Sequence, residues 1–173
     1  MGKHVECPKD VVFRPIGIIH SALKKKEETP IQPVYARGIK GSVEIFDEYT
    51  DGLHDLEGFS HIYLLYHFHK AGDVRLVVRP FVDDMPRGVF ATRAPCRPNP
   101  IGVSLVRLNQ IRGDILDIED IDVLDGTPLL DIKPYISRFD SRDSVRCGWQ
   151  ENVDEETAKL RGRRNFLEEI SKT

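Results

Sequence analysis

At 173 residues, with 40% apolar and 31% charged side chains, the chain has the balance of one globular domain large enough to bury a core. No apolar run approaches the ~20 residues of a membrane helix, and Met1–Asp10 holds no apolar stretch, so a membrane span and a secretory signal are not expected and the cytoplasm is the expected location. A net charge of −3 weighs weakly against a nucleic-acid partner when taken alone, and Cys7, Cys96 and Cys147, odd in number and with no CxxC pair, support neither a zinc knuckle nor a disulfide framework. Residues 1–10 read as a tail, 11–150 as a strand-rich domain, and 151–173 as a helical extension.

The first strand is expected over Val11–His20, where Pro15 and Gly17 mark an edge or a bulge. A polar loop from Lys24 closes on Pro30 and Pro33, two prolines that stiffen it. A strand at Ser42–Phe46 and a helical turn around Glu48–Leu56 follow. Phe59–Lys70 is aromatic and almost uncharged, as suits a buried strand. Further strands are expected at Val74–Val82, Gly88–Thr92, Ile101–Arg112, Ile115–Leu124 and Leu129–Ile136, with tight hairpin turns at Gly113-Asp114 and Asp125-Gly126. Many short strands without intervening helices indicate an antiparallel barrel or sandwich, not a doubly wound sheet. Asp154 caps a last helix, along which Leu160, Leu167 and Ile170 recur at helical spacing and Gly162 is a weak point.

Charge is segregated along the chain. Between Arg75 and Arg112 lie seven arginines, no lysine, and only two acids, Asp83 and Asp84. The window is therefore +5 and the remainder −8, a footprint suited to a polyanion. Inside it, Pro95, Pro98 and Pro100 make a rigid loop that displays Arg93, Arg97 and Asn99. The Asp125-Gly126 turn exposes backbone N–H groups and a carboxylate suited to ribose hydroxyls or an ammonium group. Beyond it, alternation places Asp131, Lys133 and Tyr135 in one row, a carboxylate, an amine and a phenol able to orient or deprotonate a substrate nitrogen. His61, His67 and His69 share a strand face without a carboxylate or thiolate to complete a tetrahedral set, so no metal is expected. No GxGxxG, GxxxxGK[ST] or GxSxG run occurs, which leaves dinucleotide, P-loop and hydrolase readings without support.

Several runs carry a resemblance. Arg14-Pro15-Ile16-Gly17-Ile18-Ile19-His20-Ser21, Gly58-Phe59-Ser60-His61, the block from Ala91 to Gly102, and Asp125-Gly126-Thr127-Pro128 through Tyr135 resemble, in this order, the TsaA-like family. The resemblance covers roughly Phe13 to Trp149. It implies a mostly β fold, an antiparallel barrel with a short helix and a C-terminal helix. It implies a homodimeric methyltransferase that moves a methyl group from S-adenosyl-L-methionine to N6 of threonylcarbamoyl-adenosine in tRNA, at position 37 next to the anticodon, with threonine-accepting tRNA favoured.

By position, the family's cofactor contacts fall on Pro30, Ile31, Gln32, His69, Lys70, Arg93, Val103, Asp125, Gly126, Thr127 and Pro128. Ile31 stands where a basic residue is common, and Cys96 where an aromatic residue is common. RNA contacts are expected from Arg87, Arg97 and Asn99 and, in place of the longer C-terminal extension of other members, from Arg161, Arg163 and Arg164. Asp131 is the first candidate for removing the N6 proton, with Tyr135 or Lys133 orienting the base. A non-catalytic cofactor- or RNA-binding barrel, and a methyltransferase acting on another adenosine or a small metabolite, are the alternatives.

Overall fold

In the computed structural model of the protein, which describes residues 9–164, six strands close on themselves in the order β1-β2-β7-β6-β3-β8. These are β1 (Gly17–Ser21), β2 (Lys40–Ile45), β3 (His61–His67), β6 (Ile101–Arg112), β7 (Ile115–Glu119) and β8 (Thr127–Pro134), and every neighbouring pair is antiparallel. The mostly β architecture is thus a barrel, and closure removes the sheet edges a sandwich would leave.

Alternation explains which side chains fill it. Ile62, Leu64 and Tyr66 on β3 face inward, opposite Val106 and Leu108 of β6, with Ile19, Val43, Ile45, Leu116, Ile118 and Leu129 completing the core. Each fully buried aliphatic side chain contributes ~1.5–3 kcal/mol by leaving water. At one end the inward positions turn polar: Tyr66 near the end of β3, Ser104 near the start of β6, Thr127 at the start of β8, and Ser21 at the end of β1, all buried. That polar end lies beneath the cavity.

Several expected elements differ. β1 begins only at Gly17, after Pro15, and pairs on both sides, so it is not an edge. Its Gly17 lies so close to β2 that a Cβ would come 2.2 Å from the Glu44 carbonyl oxygen. The strands expected at Val74–Val82 and Gly88–Thr92 shrink to a two-residue ladder, β4 (Val77–Val78) with β5 (Arg87–Gly88), apart from the barrel. Pro80 and Pro86 remove ladder donors there, and a 3₁₀ turn takes over at Val89–Ala91. Gly113 turns β6 into β7 with φ +64, as a hairpin requires. Asp125-Gly126 is not a hairpin, because β7 and β8 do not pair; Gly126 instead donates its N–H to the Ile19 carbonyl and lays the chain beside β1. Between β3 and β8 the register slips at Leu65/Tyr66, which skips Leu130 and breaks the alternation along β8, so that Leu129 and Ile132 reach the core.

The expected helical turn is a 3₁₀ helix, Asp47–Leu53, and a four-residue helix α1 (Ser137–Asp140) follows β8. Helix α2 (Glu155–Gly162) has the expected cap, Asp154 accepting from the Thr157 N–H at 2.8 Å. Of its expected apolar stripe, Leu160 is 40% exposed and Leu167 and Ile170 lie outside the described residues. Among the described residues the helix docks through Gly162. Gly162 packs on the Tyr35 ring, where a Cβ would sit 2.6 Å from the ring, and its carbonyl accepts from the Ile31 N–H at 2.9 Å. No helix among the described residues is long and apolar enough to cross a membrane.

Candidate active site

Residues 68–100 leave the barrel between β3 and β6, strands that are themselves paired, and fold over its polar end. Together with the loop after β1, the link after β7, the Cys147–Gln150 segment and Arg164 just beyond α2, they enclose a cavity of about 1090 Å³. Ligand pockets commonly span ~300–1,000 Å³, so this one is large enough for a nucleoside-sized molecule. Eight of the residues expected at a cofactor line it: Pro30, Ile31, Gln32, His69, Lys70, Arg93, Val103 and Thr127. Asp125, Gly126 and Pro128 flank the cavity without lining it.

The walls are tied to one another by side chains. Arg93 donates through Nη1 to the Gln32 side-chain oxygen, joining the proline-rich loop to the Pro30–Gln32 loop. Arg97 donates Nε to the Ala94 carbonyl (3.0 Å) and Nη2 to those of Val89 (2.9 Å) and Thr92 (2.7 Å). That guanidinium serves as the internal cross-brace of a loop whose prolines supply no N–H donors. It is engaged with backbone rather than displayed for phosphate.

At His69 the hydrogen-bond network fixes a tautomer. Thr127 has one hydroxyl proton and donates it to the Leu124 carbonyl at 2.7 Å, so the 3.3 Å contact with His69 is donated by Nδ1–H. Burial first, then Lys70 and His67, hold the imidazole below its ordinary pKa. At neutral pH it is therefore uncharged, with Nε2 as its acceptor. The Asp125 carboxylate, expected to be available, is already used: Lys24 (2.7 Å) and the Ser21 N–H (3.0 Å) bind it and hold its pKa down. It secures the turn.

The other expected residues fall elsewhere. Asp131 and Lys133 form an ion pair at 2.8 Å, and Asp131 borders a separate cavity of about 430 Å³ with Ile16, Tyr49 and Leu56. Tyr135 makes edge contacts with His61 (6.4 Å) and Tyr63 (6.0 Å), and of these three only His61 lines the main cavity. Arg87 donates Nε (2.9 Å) and Nη2 (2.7 Å) to the one Asp83 oxygen Oδ2 and lies over Trp149, while Arg161 pairs with Asp84 at 3.0 Å. Arg164 stacks 3.6 Å from the Phe81 ring centroid in the cavity wall, and Arg163 and Asn99 are exposed. Among the described residues no group of three or more His, Cys, Asp or Glu is placed to hold a metal.

Sequence reasoning missed a buried trio on the cavity floor, Tyr66, Ser104 and Asp122. Ser104 donates to Asp122 Oδ1 at 2.5 Å and lies 3.0 Å from the Tyr66 hydroxyl. Burial pushes Asp122 up to about 7, against the opposing pull of the Ser104 hydrogen bond. The one sequence signal is an acid set in the apolar run Ile121-Asp122-Val123-Leu124.

A family profile described as the tRNA-methyltransferase O N-terminal domain matches residues 18–141. A probable S-adenosyl-L-methionine-binding protein of Pyrococcus abyssi is 53% identical over 160 residues, 92% of this chain and 87% of that protein. The human tRNA (adenine(37)-N6)-methyltransferase is 37% identical over 143 residues, 79% of this chain but 32% of that protein. The crystal structure of TrmO from Pseudomonas aeruginosa superposes with a TM-score of 0.68 at 39% identity, covering 81% of this chain and 62% of that one. The chain spans about a third of the human protein and about three fifths of the Pseudomonas one, and it belongs to the tRNA-methyltransferase O family.

Proposed function

We propose that the chain is an S-adenosyl-L-methionine-dependent methyltransferase acting on N6 of threonylcarbamoyl-adenosine at position 37 of tRNA, with threonine-accepting tRNA favoured. It works as a homodimer in the cytoplasm. The observation that carries the reading is the convergence of Pro30–Gln32, His69–Lys70, Arg93, Val103 and Thr127 on one cavity over the polar end of the barrel.

The donor set fits that cofactor. Pro30, Ile31, Val103 and Leu124 supply apolar wall for a purine, and Gln32, His69 and Thr127 supply polar atoms beside it. When bound, the cofactor supplies a methyl group on a sulfonium, open to direct displacement by a nitrogen. The chain's part is alignment and exclusion of water, for which the Arg93–Gln32 tie and the braced proline loop hold two walls in place.

N6 loses a proton as it gains the methyl group. Asp131, oriented by Lys133 or Tyr135, is one proposed acceptor, but its ion pair and its place outside the main cavity count against it. Uncharged His69, oriented by Thr127, is the acceptor within the cavity.

Threonine-accepting tRNA incubated with methyl-labelled cofactor should yield labelled N6-methyl threonylcarbamoyl-adenosine on mass spectrometry of the nucleosides. Label in another nucleoside would redirect the substrate. Absence of any methylated nucleoside would make the chain a binding module.

A further inference from the structure

Asp122 is 7% exposed, yet it lines the main cavity. Its position is unusual in having no cation to neutralise it: among the described residues no lysine, arginine or histidine lies within ion-pair distance of its carboxylate. A buried carboxylate without a cationic partner is costly when ionised, and a merely structural acceptor for Ser104 could be neutral. The hydrogen-bonded chain beneath it suits two charge states. With Asp122 ionised, Tyr66 donates to Ser104 and Ser104 to Asp122; with Asp122 protonated, the same contacts of 3.0 and 2.5 Å run in reverse. The floor can thus take up or release one proton without rearranging heavy atoms.

We propose that Asp122 is the counter-charge for a cationic centre of the cofactor, and so a residue by which the cavity distinguishes charged from uncharged ligands. This rests on the cofactor reading above. S-adenosyl-L-methionine carries two such centres, a sulfonium and an ammonium. Burial pushes the Asp122 carboxyl up to about 7, and a cation beside it favours the ionised form, so binding expels the proton to solvent. The groups acting on Asp122 from neighbouring elements are few. Tyr66 on β3 is held un-ionised by burial, Ser104 on β6 is a donor, and Arg93 on the proline-rich loop pulls weakly towards the ionised form. His69 and Asp120 also line the cavity.

The sign is set by linkage. Because the ligand-bound pKa lies below that of the free site, affinity rises with pH up to about 7 and is flat above it. Calorimetry in two buffers of different ionisation enthalpy, with S-adenosyl-L-methionine and S-adenosyl-L-homocysteine as probes, measures affinity and proton release together. For the wild type, affinity for the first probe should rise about tenfold per pH unit towards neutrality, with close to one proton released in that range. Asp122→Asn should bind at least about tenfold more weakly above neutrality, without pH dependence. Ser104→Ala removes a hydrogen bond that favours the ionised form, so its midpoint should move to higher pH.

The second probe, which lacks the sulfonium, identifies the centre: loss of the proton release marks the sulfonium, its retention the ammonium, and either supports the proposal. A folded Asp122→Asn with wild-type affinity and proton release overturns it, as does an unmoved midpoint in Ser104→Ala. If the wild type binds neither probe, the cofactor reading itself falls, and this proposal with it.

Discussion

At the scale of single residues, the choice of base separates two side chains that the chain's spacing alone could not rank. Alternation put Asp131 and Lys133 in one row, and the row exists, but it closes on itself as an ion pair beside a different cavity. The resemblance named His69 as an expected cofactor contact; its oriented, uncharged imidazole was not legible, because Thr127, which orients it, is distant in sequence. The engagement of the Asp125 carboxylate was hidden for the same reason, since Lys24 and Ser21, which contact it, are about a hundred residues away. His69→Ala should therefore lower turnover on tRNA by about a hundredfold, while Asp131→Asn binds cofactor normally and keeps most of its rate. Single-turnover methylation at saturating cofactor makes the comparison. A collapse of rate in Asp131→Asn with cofactor affinity intact would return the role to that carboxylate.

Among the elements, those legible in advance are the ones whose burial alternates along the strand. β3, β6 and β7 each carry a period-two pattern that only one face of a closed sheet can satisfy. The apolar run at Val74–Val82 has no such partner and folds mainly as loop, with Val74, Leu76 and Val77 exposed. Helix α2 shows the opposite case, a predicted element whose purpose was hidden. Leu160, the stripe residue among those described, is 40% exposed, and the contacts that tie the helix down there are the close approach of Gly162 to Tyr35 and the Ile31–Gly162 hydrogen bond. A Gly162→Ala exchange isolates that contact. Alanine favours a helix by roughly 0.8–1.0 kcal/mol over glycine, so helix propensity predicts stabilisation, whereas the clash with Tyr35 predicts a helix pushed off the Pro30–Gln32 loop. The second effect should win at the site: cofactor affinity falls by about three- to tenfold, measured by calorimetry, with the barrel's melting temperature little changed. Unaltered affinity would mean that the hold of α2 on Ile31 and Tyr35 does not shape the cofactor wall.

For the whole molecule, the segregated charge has to be divided between holding the fold and meeting RNA. Arg87, Arg97 and Arg112 are committed to Asp83, to backbone carbonyls and to Asp117, so a window of +5 overstates what is left for phosphates. Arg163→Ala should weaken tRNA binding and reduce the slope of log affinity against log salt by about 0.7–0.9, leaving cofactor binding alone. Arg97→Ala should instead weaken cofactor and tRNA together with the slope preserved, because it loosens the loop rather than deleting a phosphate contact. Equal slopes in the two variants would refute that division. The placement of the insertion reaches further than any one charge. Because residues 68–100 spring from strands already zipped from His61–Arg107 to His67–Ile101, the barrel does not need them in order to close. Doubling such a loop costs only about 0.6 kcal/mol in closure entropy, less than one well-made hydrogen bond. The scaffold is therefore nearly indifferent to the size of what it carries, and the reach of the active site towards its substrate can lengthen or shorten while every strand stays in register.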